Sequence, residues 1–203
     1  MFLLSVVGPL FSPYGETQVF LKKDIMKKEY AGAAINDSMN VIIKEGFDYN
    51  PQDEFQVREH IKVLKQKINN SADSIRIKEI DLFDVLIECL KDKGYLERAI
   101  ELEKRYGSEK FIDTIKNSLG LKTENNMFVK KIVEQVEPND VIFITGVGKI
   151  YPIMRSHKLL NNLFPYVTQN PLILFFPGSY SGYGLDLFDE IKGDNYYRAF
   201  KLL

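Results

Sequence analysis

A continuous apolar run that ends at two glycines and continues into a polar helix constrains this chain most. Residues 140–145 read Asp-Val-Ile-Phe-Ile-Thr, which is typical of a strand buried on both faces of a parallel sheet. Gly146 and Gly148 follow, and a helix is predicted beyond them on Ile153, His157, Leu160 and Phe164. Strand, tight turn and helix in this order place backbone N–H groups and side chains along one edge of an α/β sheet.

Strand and helix patterns alternate along the rest of the chain. Strands are predicted at residues 40–47, 74–80, 140–145, 172–176 and 196–202, and further helices at 51–68, 81–94, 95–106, 109–119 and 123–137. Alternation of this kind requires right-handed crossovers. We therefore predict an α/β fold: a Rossmann-like three-layer sandwich with a mostly parallel sheet of about five strands and a helical insertion. Residues 1–38 are predicted as an N-terminal arm and helix, and 39–203 as a single α/β domain with its helical region at about 82–137.

Local capping signals support two of these helices. Asn50 is a favourable N-cap followed by Pro51, a residue well suited to the first helical position. Asp81 is placed to cap the helix that ends near Gly94.

Composition limits the classes of function. Lys and Arg number 27 and Asp and Glu 28, for a net charge of −1, so no global field attracts nucleic acid or an anionic membrane. The apolar N-terminal start falls short of the ~20 residues that cross a bilayer. Cys89, the only cysteine, lies in an apolar helical pattern and is predicted to be buried. We expect a cytoplasmic protein without a cofactor or metal and without direct nucleic-acid or membrane binding.

The glycine turn resembles a phosphate-binding loop but lacks the defining residues. A Walker loop needs a glycine where Phe143 stands and a Ser or Thr where Ile150 stands. The dinucleotide fingerprint needs a third glycine at the position of Tyr151. A tight turn is therefore preferred over a nucleotide site, which stays open as an alternative.

Polar residues on the helix after the turn are the next candidates. His157 and Asn161 are one helical turn apart, and His157 is predicted to be a hydrogen-bonded packing residue. Arg155 is expected to hold a carboxylate, Asp48 or Asp81. His60 is expected on the solvated side of its helix.

The last quarter of the chain concentrates aromatic side chains. They are Tyr180, Tyr183, Phe188, Tyr196, Tyr197 and Phe200, together with Arg198. Interfaces favour this mixture of Tyr, Phe and Arg. The nearby acids Asp186, Asp189, Glu190 and Asp194 are expected to be solvated rather than to hold a cation.

Three sequence blocks give the chain its resemblance to a known family. They are Asp48-Tyr49-Asn50-Pro51 with Arg58-Glu59-His60, then Thr145 through Leu163, then Pro177-Gly178 with Asn195-Tyr196-Tyr197-Arg198-Ala199-Phe200. In these blocks the chain resembles the BrxB family of BREX phage-defence systems. The resemblance implies a small cytoplasmic component of a phage-exclusion system that includes a PglZ phosphatase-like protein, and it implies no catalytic residue.

The preferred hypothesis is a non-enzymatic adaptor that docks the PglZ-like protein or another BREX component. Its predicted partner-binding residues are Tyr180, Tyr196, Tyr197, Arg198 and Phe200. Its predicted structural rim consists of Asp48, Thr145, Gly146, Gly148, Tyr151, Pro152, Arg155, His157 and Asn161. A degenerate nucleotide-binding or hydrolytic domain using Gly146 and Arg155 is the alternative. Nucleic-acid binding through Lys149, Arg155 and Lys158 is a third and weaker hypothesis.

Overall fold

A computed structural model describes residues 44–71, 75–121, 126–180, 184–193 and 200–201 of the chain. In chain order the strands are β1 (Lys44–Tyr49), β2 (Arg76–Asp81), β3 (Asp140–Thr145), β4 (Leu172–Tyr180), β5 (Leu185–Leu187) and β6 (Phe200–Lys201). The helices are α1 (Glu54–Asn69), α2 (Leu82–Asp92), α3 (Leu96–Ser118), α4 (Met127–Val133), α5 (Val147–Ile150) and α6 (Ser156–Leu163). The predicted arm and helix at 1–38 lie outside the described residues.

The strands form one sheet in the order β2-β3-β4-β1-β6, with β5 paired to β4. Strand β1 lies between β4 and β6 and runs parallel to both. The short β5 runs antiparallel to its neighbour β4. The predicted α/β fold with a mostly parallel sheet of about five strands is confirmed.

By its internal contacts the described chain divides into two compact units. The first takes the residues up to Glu79, Pro138–Phe143 and the residues from Thr168 on, and the second takes Ile80–Glu137 and Ile144–Val167. None of the helices in the described ranges has both the length and the apolar composition needed to cross a bilayer.

The core of the first unit joins α1 to one face of the sheet. Its buried residues are Phe47, Val57, Ile61, Leu64, Ile77, Val141, Phe143, Ile173 and Phe175. The rings of Phe143 and Phe175 lie 5.0 Å apart between centroids. Residues of the opposite sheet face, such as Ile142 and Leu174, are equally buried. Burial on both faces explains why β3 and β4 read as continuous apolar runs.

The predicted caps form as the sequence indicates. The Asn50 side chain accepts a hydrogen bond from the Gln52 N–H at 2.9 Å, and Pro51 opens a short 3-10 turn that leads into α1. Asp81 accepts from the Phe83 N–H at 2.9 Å. These side chains satisfy N–H groups that the first helical turn leaves without an intrahelical acceptor.

An asparagine at the end of α1 covers the backbone of β2. The Asn69 side chain donates to the Ile77 carbonyl at 3.1 Å and accepts from the Ile77 N–H at 2.7 Å. The Asn69 amide thus makes the two hydrogen bonds that a residue of a neighbouring strand would make. It satisfies backbone groups of β2, the first strand in the described sheet order.

Helices α2, α3 and α4 belong to the second unit. Cys89 is fully buried, its sulfur lies 4.0 Å from the Met127 carbonyl oxygen, and burial raises the pKa of its thiol to about 11. The predicted burial of Cys89 is confirmed, and a thiol with this pKa is protonated and unreactive at neutral pH. Lys131 on α4 pairs with Asp92 on α2 at 2.6 Å.

Several predicted boundaries need correction. One predicted break is confirmed, since Gly107 has a non-helical backbone, with φ of 78°, and separates two helices within the span of α3. Helix α4 ends at Val133 rather than 137, and it begins after Asn126, whose side chain accepts from the Phe128 and Val129 N–H groups. Strand β4 extends to Tyr180, and β5 was not predicted. The predicted closing strand at 196–202 is described only at β6.

Candidate functional site

An ion pair joins the end of β2 to the helix that follows β3. The Asp81 carboxylate receives the Lys149 ammonium on Oδ2 while its Oδ1 caps α2. The exposed fraction is 19% for the Asp81 side chain and 33% for that of Lys149. Both carboxylate oxygens of Asp81 therefore accept a hydrogen bond within the protein.

Gly146 is fixed against this carboxylate by its backbone conformation. Its φ is 76° and ψ is 20°, the left-handed region that glycine adopts without strain. A Cβ atom at Gly146 would lie 2.5 Å from Asp81 Oδ1 and 3.0 Å from its Cγ. The glycine is therefore required both by the turn and by the close approach of the Asp81 side chain.

The residues on either side of Gly146 take different structural roles. Thr145 ends β3 and is 7% exposed, and its hydroxyl has no hydrogen-bond partner among the described residues. Gly148 lies inside α5 rather than in the turn. The glycine pair is thus one turn glycine and one helical glycine.

The single helix predicted after the turn is two helices. Helix α5 has four residues, and Tyr151 with Pro152, joined by a cis peptide bond, lies in the connection to α6. Ile153 therefore lies between the helices, not on one. The sequence shows a proline at this point, and proline interrupts a helix by removing an N–H donor.

Arg155 precedes α6 and is exposed. The prediction that Asp81 holds it is wrong, since the Asp81 carboxylate pairs with Lys149, and Arg155 has no carboxylate partner within the described ranges. Lys149 is nearer in sequence to the turn, and its side chain reaches Asp81 from α5.

His157 and Asn161 are both on α6, one turn apart as predicted, with His157 half-buried and Asn161 exposed. Burial lowers the pKa of His157, and the neighbouring Lys158 and Arg155 lower it further. The imidazole of His157 is therefore neutral at physiological pH.

A second polar group, missed by the sequence reasoning, lies in the first unit where β1 ends. The Tyr49 hydroxyl donates to Glu54 Oε2, and the Arg58 Nε donates to Glu54 Oε1 at 2.6 Å. Burial and the bond to Glu54 raise the pKa of the Tyr49 phenol, so the phenol stays protonated. Asp48, one residue earlier on β1, is half-buried. The blocks 48–51 and 58–60 of the sequence meet in this network.

His60 corrects another prediction. Its ring is half-buried rather than solvated, and its Nε2 is buried without a hydrogen-bond partner in the described part of the chain. Burial lowers its pKa, with a further contribution from Lys67. Positions 57, 60 and 64 share one helical face, so the apolar periodicity of α1 indicates that His60 is partly buried.

We expect the protein to lose stability as pH falls below about 6.5, because protonation of His60 costs more in the folded chain than in the unfolded one. The contribution is present above the unfolded pKa and is lost as pH falls toward the lowered folded value. Denaturant unfolding at pH 7.5 and 5.5 should show a smaller drop for His60→Gln than for the wild type. Equal drops in the two proteins would contradict this assignment.

The predicted partner-binding residues are only partly described. Tyr180 ends β4 and Phe200 begins β6, and Tyr196, Tyr197 and Arg198 lie outside the described residues, as does Tyr183. In the described ranges no group of three or more His, Cys, Asp or Glu side chains is arranged to hold a metal ion.

Comparison with known proteins places the chain in a family. The family model described as BREX protein BrxB matches residues 78–202. A BREX protein BrxB of Bacillus cereus (strain H3081.97) is 47% identical over 157 residues, which are 77% of this chain and 81% of that protein. A BREX protein BrxB of Escherichia coli O9:H4 (strain HS) is 32% identical over 157 residues, 77% of this chain and 76% of that protein. No solved structure matches the chain. The resemblance seen in the sequence is thereby confirmed, and the chain belongs to the BrxB family of BREX proteins.

Proposed function

We propose that this BREX component serves phage defence as a non-enzymatic adaptor that docks the PglZ phosphatase-like component. The observation that carries the proposal is that two carboxylates, Asp81 and Glu54, are each bound through both oxygens by groups of the protein itself. Asp81 is occupied by its helix cap and by Lys149, and Glu54 by Tyr49 and Arg58. Carboxylates bound in this way hold strand ends and helices in place. Contacts with a partner protein are then left to other side chains on the surface.

A tagged copy of the chain tests the proposal in cells that express the whole defence operon. The adaptor function predicts that PglZ is retained with the tag after washing at physiological salt. Retention of other BREX components without PglZ would refute the assigned partner. Retention of none would refute the adaptor function.

The surface proposed for docking centres on the C-terminal aromatic segment with Phe200, and Tyr180 is a separate proposed contact. Phe200 of β6 and Ile173 of β4 both pair with Glu45 of β1, and Tyr180 lies seven residues beyond Ile173 at the end of β4. Tyr196, Tyr197 and Arg198 precede β6 in sequence and are separated from it by Ala199. Tyr and Arg are the side chains most often found as binding hot spots.

Replacement of Tyr197 or Arg198 by Ala should weaken PglZ binding by about 1–3 kcal/mol, because truncation of a hot-spot side chain removes buried contacts. The affinity is measured by calorimetric titration. Tyr106→Ala and Arg98→Ala are matched controls, since both positions are exposed on α3. Loss of folding in the Tyr197 and Arg198 variants, seen as a lowered melting temperature, would assign these residues to the core instead.

The alternative function is a degenerate nucleotide-binding domain. The observation that favours it is an exposed Arg155 cation on the segment that follows the Gly146 turn in sequence. Titration with ATP, GTP and NAD in the presence of magnesium decides between the two. The adaptor proposal predicts no measurable binding. A dissociation constant below about 100 micromolar, worth more than roughly 5 kcal/mol, with loss of binding in Arg155→Ala, would replace the adaptor by this alternative.

A further inference from the structure

A short hairpin after β4 carries an exposed aromatic side chain in a strained backbone conformation. Leu187 and Ile191 pair through two hydrogen bonds of 2.9 Å, and residues 188–190 form the loop between them. We call residues 187–191 the Phe188 tip. Phe188 has φ of 58° and Asp189 has φ of 61°, so two consecutive residues with side chains occupy the left-handed region.

Phe188 and Asp189 are not the residues that a turn with this backbone conformation favours. Two consecutive positive φ angles are the pattern for which hairpins select Asn-Gly or Asp-Gly, because a bulky side chain is strained there. The left-handed conformation costs roughly 1–2 kcal/mol for a residue such as Phe. Strain of this size persists only where surrounding contacts enforce it, and it concentrates at functional sites.

Contacts on both sides hold the tip in place. The Phe188 N–H donates to the Pro177 carbonyl at 2.8 Å, and the Gly193 N–H donates to Asp186 Oδ1 at 3.0 Å. Gly178 on β4 leaves room for the Asp186 carbonyl, which a Cβ atom at that position would overlap. The aromatic ring is therefore presented from a rigid support, which lowers the entropy lost when it binds.

Two acidic residues follow the exposed ring in sequence. Phe188 is 39% exposed. Asp189 and Glu190 follow it, are both exposed, and form no ion pair with any residue of the described ranges. An aromatic side chain beside two unpaired carboxylates is complementary to an apolar pocket with Lys or Arg at its rim.

We propose that the Phe188 tip is an anchor that inserts into a basic-rimmed apolar pocket of a BREX protein partner. The inference rests on the proposed adaptor function and adds a contact outside the predicted Tyr197 and Arg198 surface. Phe188 supplies the buried contact, and the carboxylates of Asp189 and Glu190 orient the approach through long-range attraction.

The variant Phe188→Asn separates binding from folding, since Asn tolerates the left-handed region. The melting temperature should be unchanged or higher, because the substitution relieves backbone strain. Binding to the BREX component retained by the wild-type chain should weaken at least tenfold. A lowered melting temperature would assign Phe188 to the core and overturn the proposal, as would an unchanged affinity.

The double variant Asp189→Asn, Glu190→Gln should slow association and reduce its salt dependence, and an unaltered association rate would overturn the role of charge.

Photo-crosslinking in cells that express the whole operon locates the contact. A benzoylphenylalanine in place of Phe188 should crosslink to a BREX component, and one in place of Phe83, which is 41% exposed, is the matched control. Crosslinking to PglZ supports both proposals, and crosslinking to another BREX component supports the Phe188 anchor while refuting the PglZ assignment. If PglZ is retained by the chain but position 188 crosslinks to no component, the adaptor function stands and the anchor is overturned. If no component is retained or crosslinked, both are overturned.

Discussion

Gly178→Ala is expected to destabilise the folded chain by about 4 kcal/mol or more, a large part of the 5–15 kcal/mol that stabilises a typical domain. Gly178 has φ of 142°, a conformation that side chains rarely permit. A Cβ atom there would overlap the Asp186 carbonyl oxygen and lie 2.9 Å from the Phe188 nitrogen. Both are backbone atoms, one in β5 and one in the residue that follows it, so relief requires β5 to move away from β4.

Denaturant unfolding gives the loss, and hydrogen exchange shows where it occurs. The Phe188 and Leu187 amides should lose protection first, because their hydrogen bonds close the hairpin. Ser179→Ala is the control, since the neighbouring Ser179 is exposed, and it should change stability by less than about 0.5 kcal/mol. Similar stabilities for the Gly178 and Ser179 variants would show that β5 moves away without cost.

Gly146→Ala should cost about 2–4 kcal/mol, the second largest effect, because two penalties add. The left-handed backbone strains any residue with a Cβ atom. That atom also meets the Asp81 carboxylate at 2.5 Å, so the side chain must leave the cap of α2 or its pairing with Lys149.

Gly94→Ala isolates the first penalty. Gly94 has φ of 64°, and a Cβ atom there meets nothing within 4 Å, so its variant should lose only about 1 kcal/mol. A double-mutant cycle with Asp81→Ala isolates the second penalty, the clash with the Asp81 carboxylate. In the Asp81→Ala background, Gly146→Ala should cost no more than Gly94→Ala. Equal costs for the Gly94 and Gly146 variants in the wild-type background would mean that Asp81 shifts freely.

Elements with strong local signals were predictable from the sequence. The apolar run of β3, the cap and proline at the start of α1 and the Asp81 cap each depend on residues close together in the chain. Local sequence determines such features because a cap or a continuous buried run needs no distant residue for its definition. Gly107 likewise breaks α3 where its sequence position indicates.

Features built by distant residues were missed. Lys149 meets Asp81 across 68 positions of sequence, and no local pattern favours it over Arg155. Strand β5 has three residues, too few to show a periodicity, and depends on pairing with β4. Two other features do have a local signal. A proline marks the break between α5 and α6, and helical spacing places His60 on the buried face of α1, but the apolar pattern around each position favours a different interpretation.

The adaptor function is tested most directly by gel filtration of the purified chain mixed with purified PglZ at tens of micromolar. The account predicts a stable complex that elutes earlier than either protein alone, because useful association in a cell requires a dissociation constant of about a micromolar or tighter. Separate elution of the two proteins at these concentrations would contradict it.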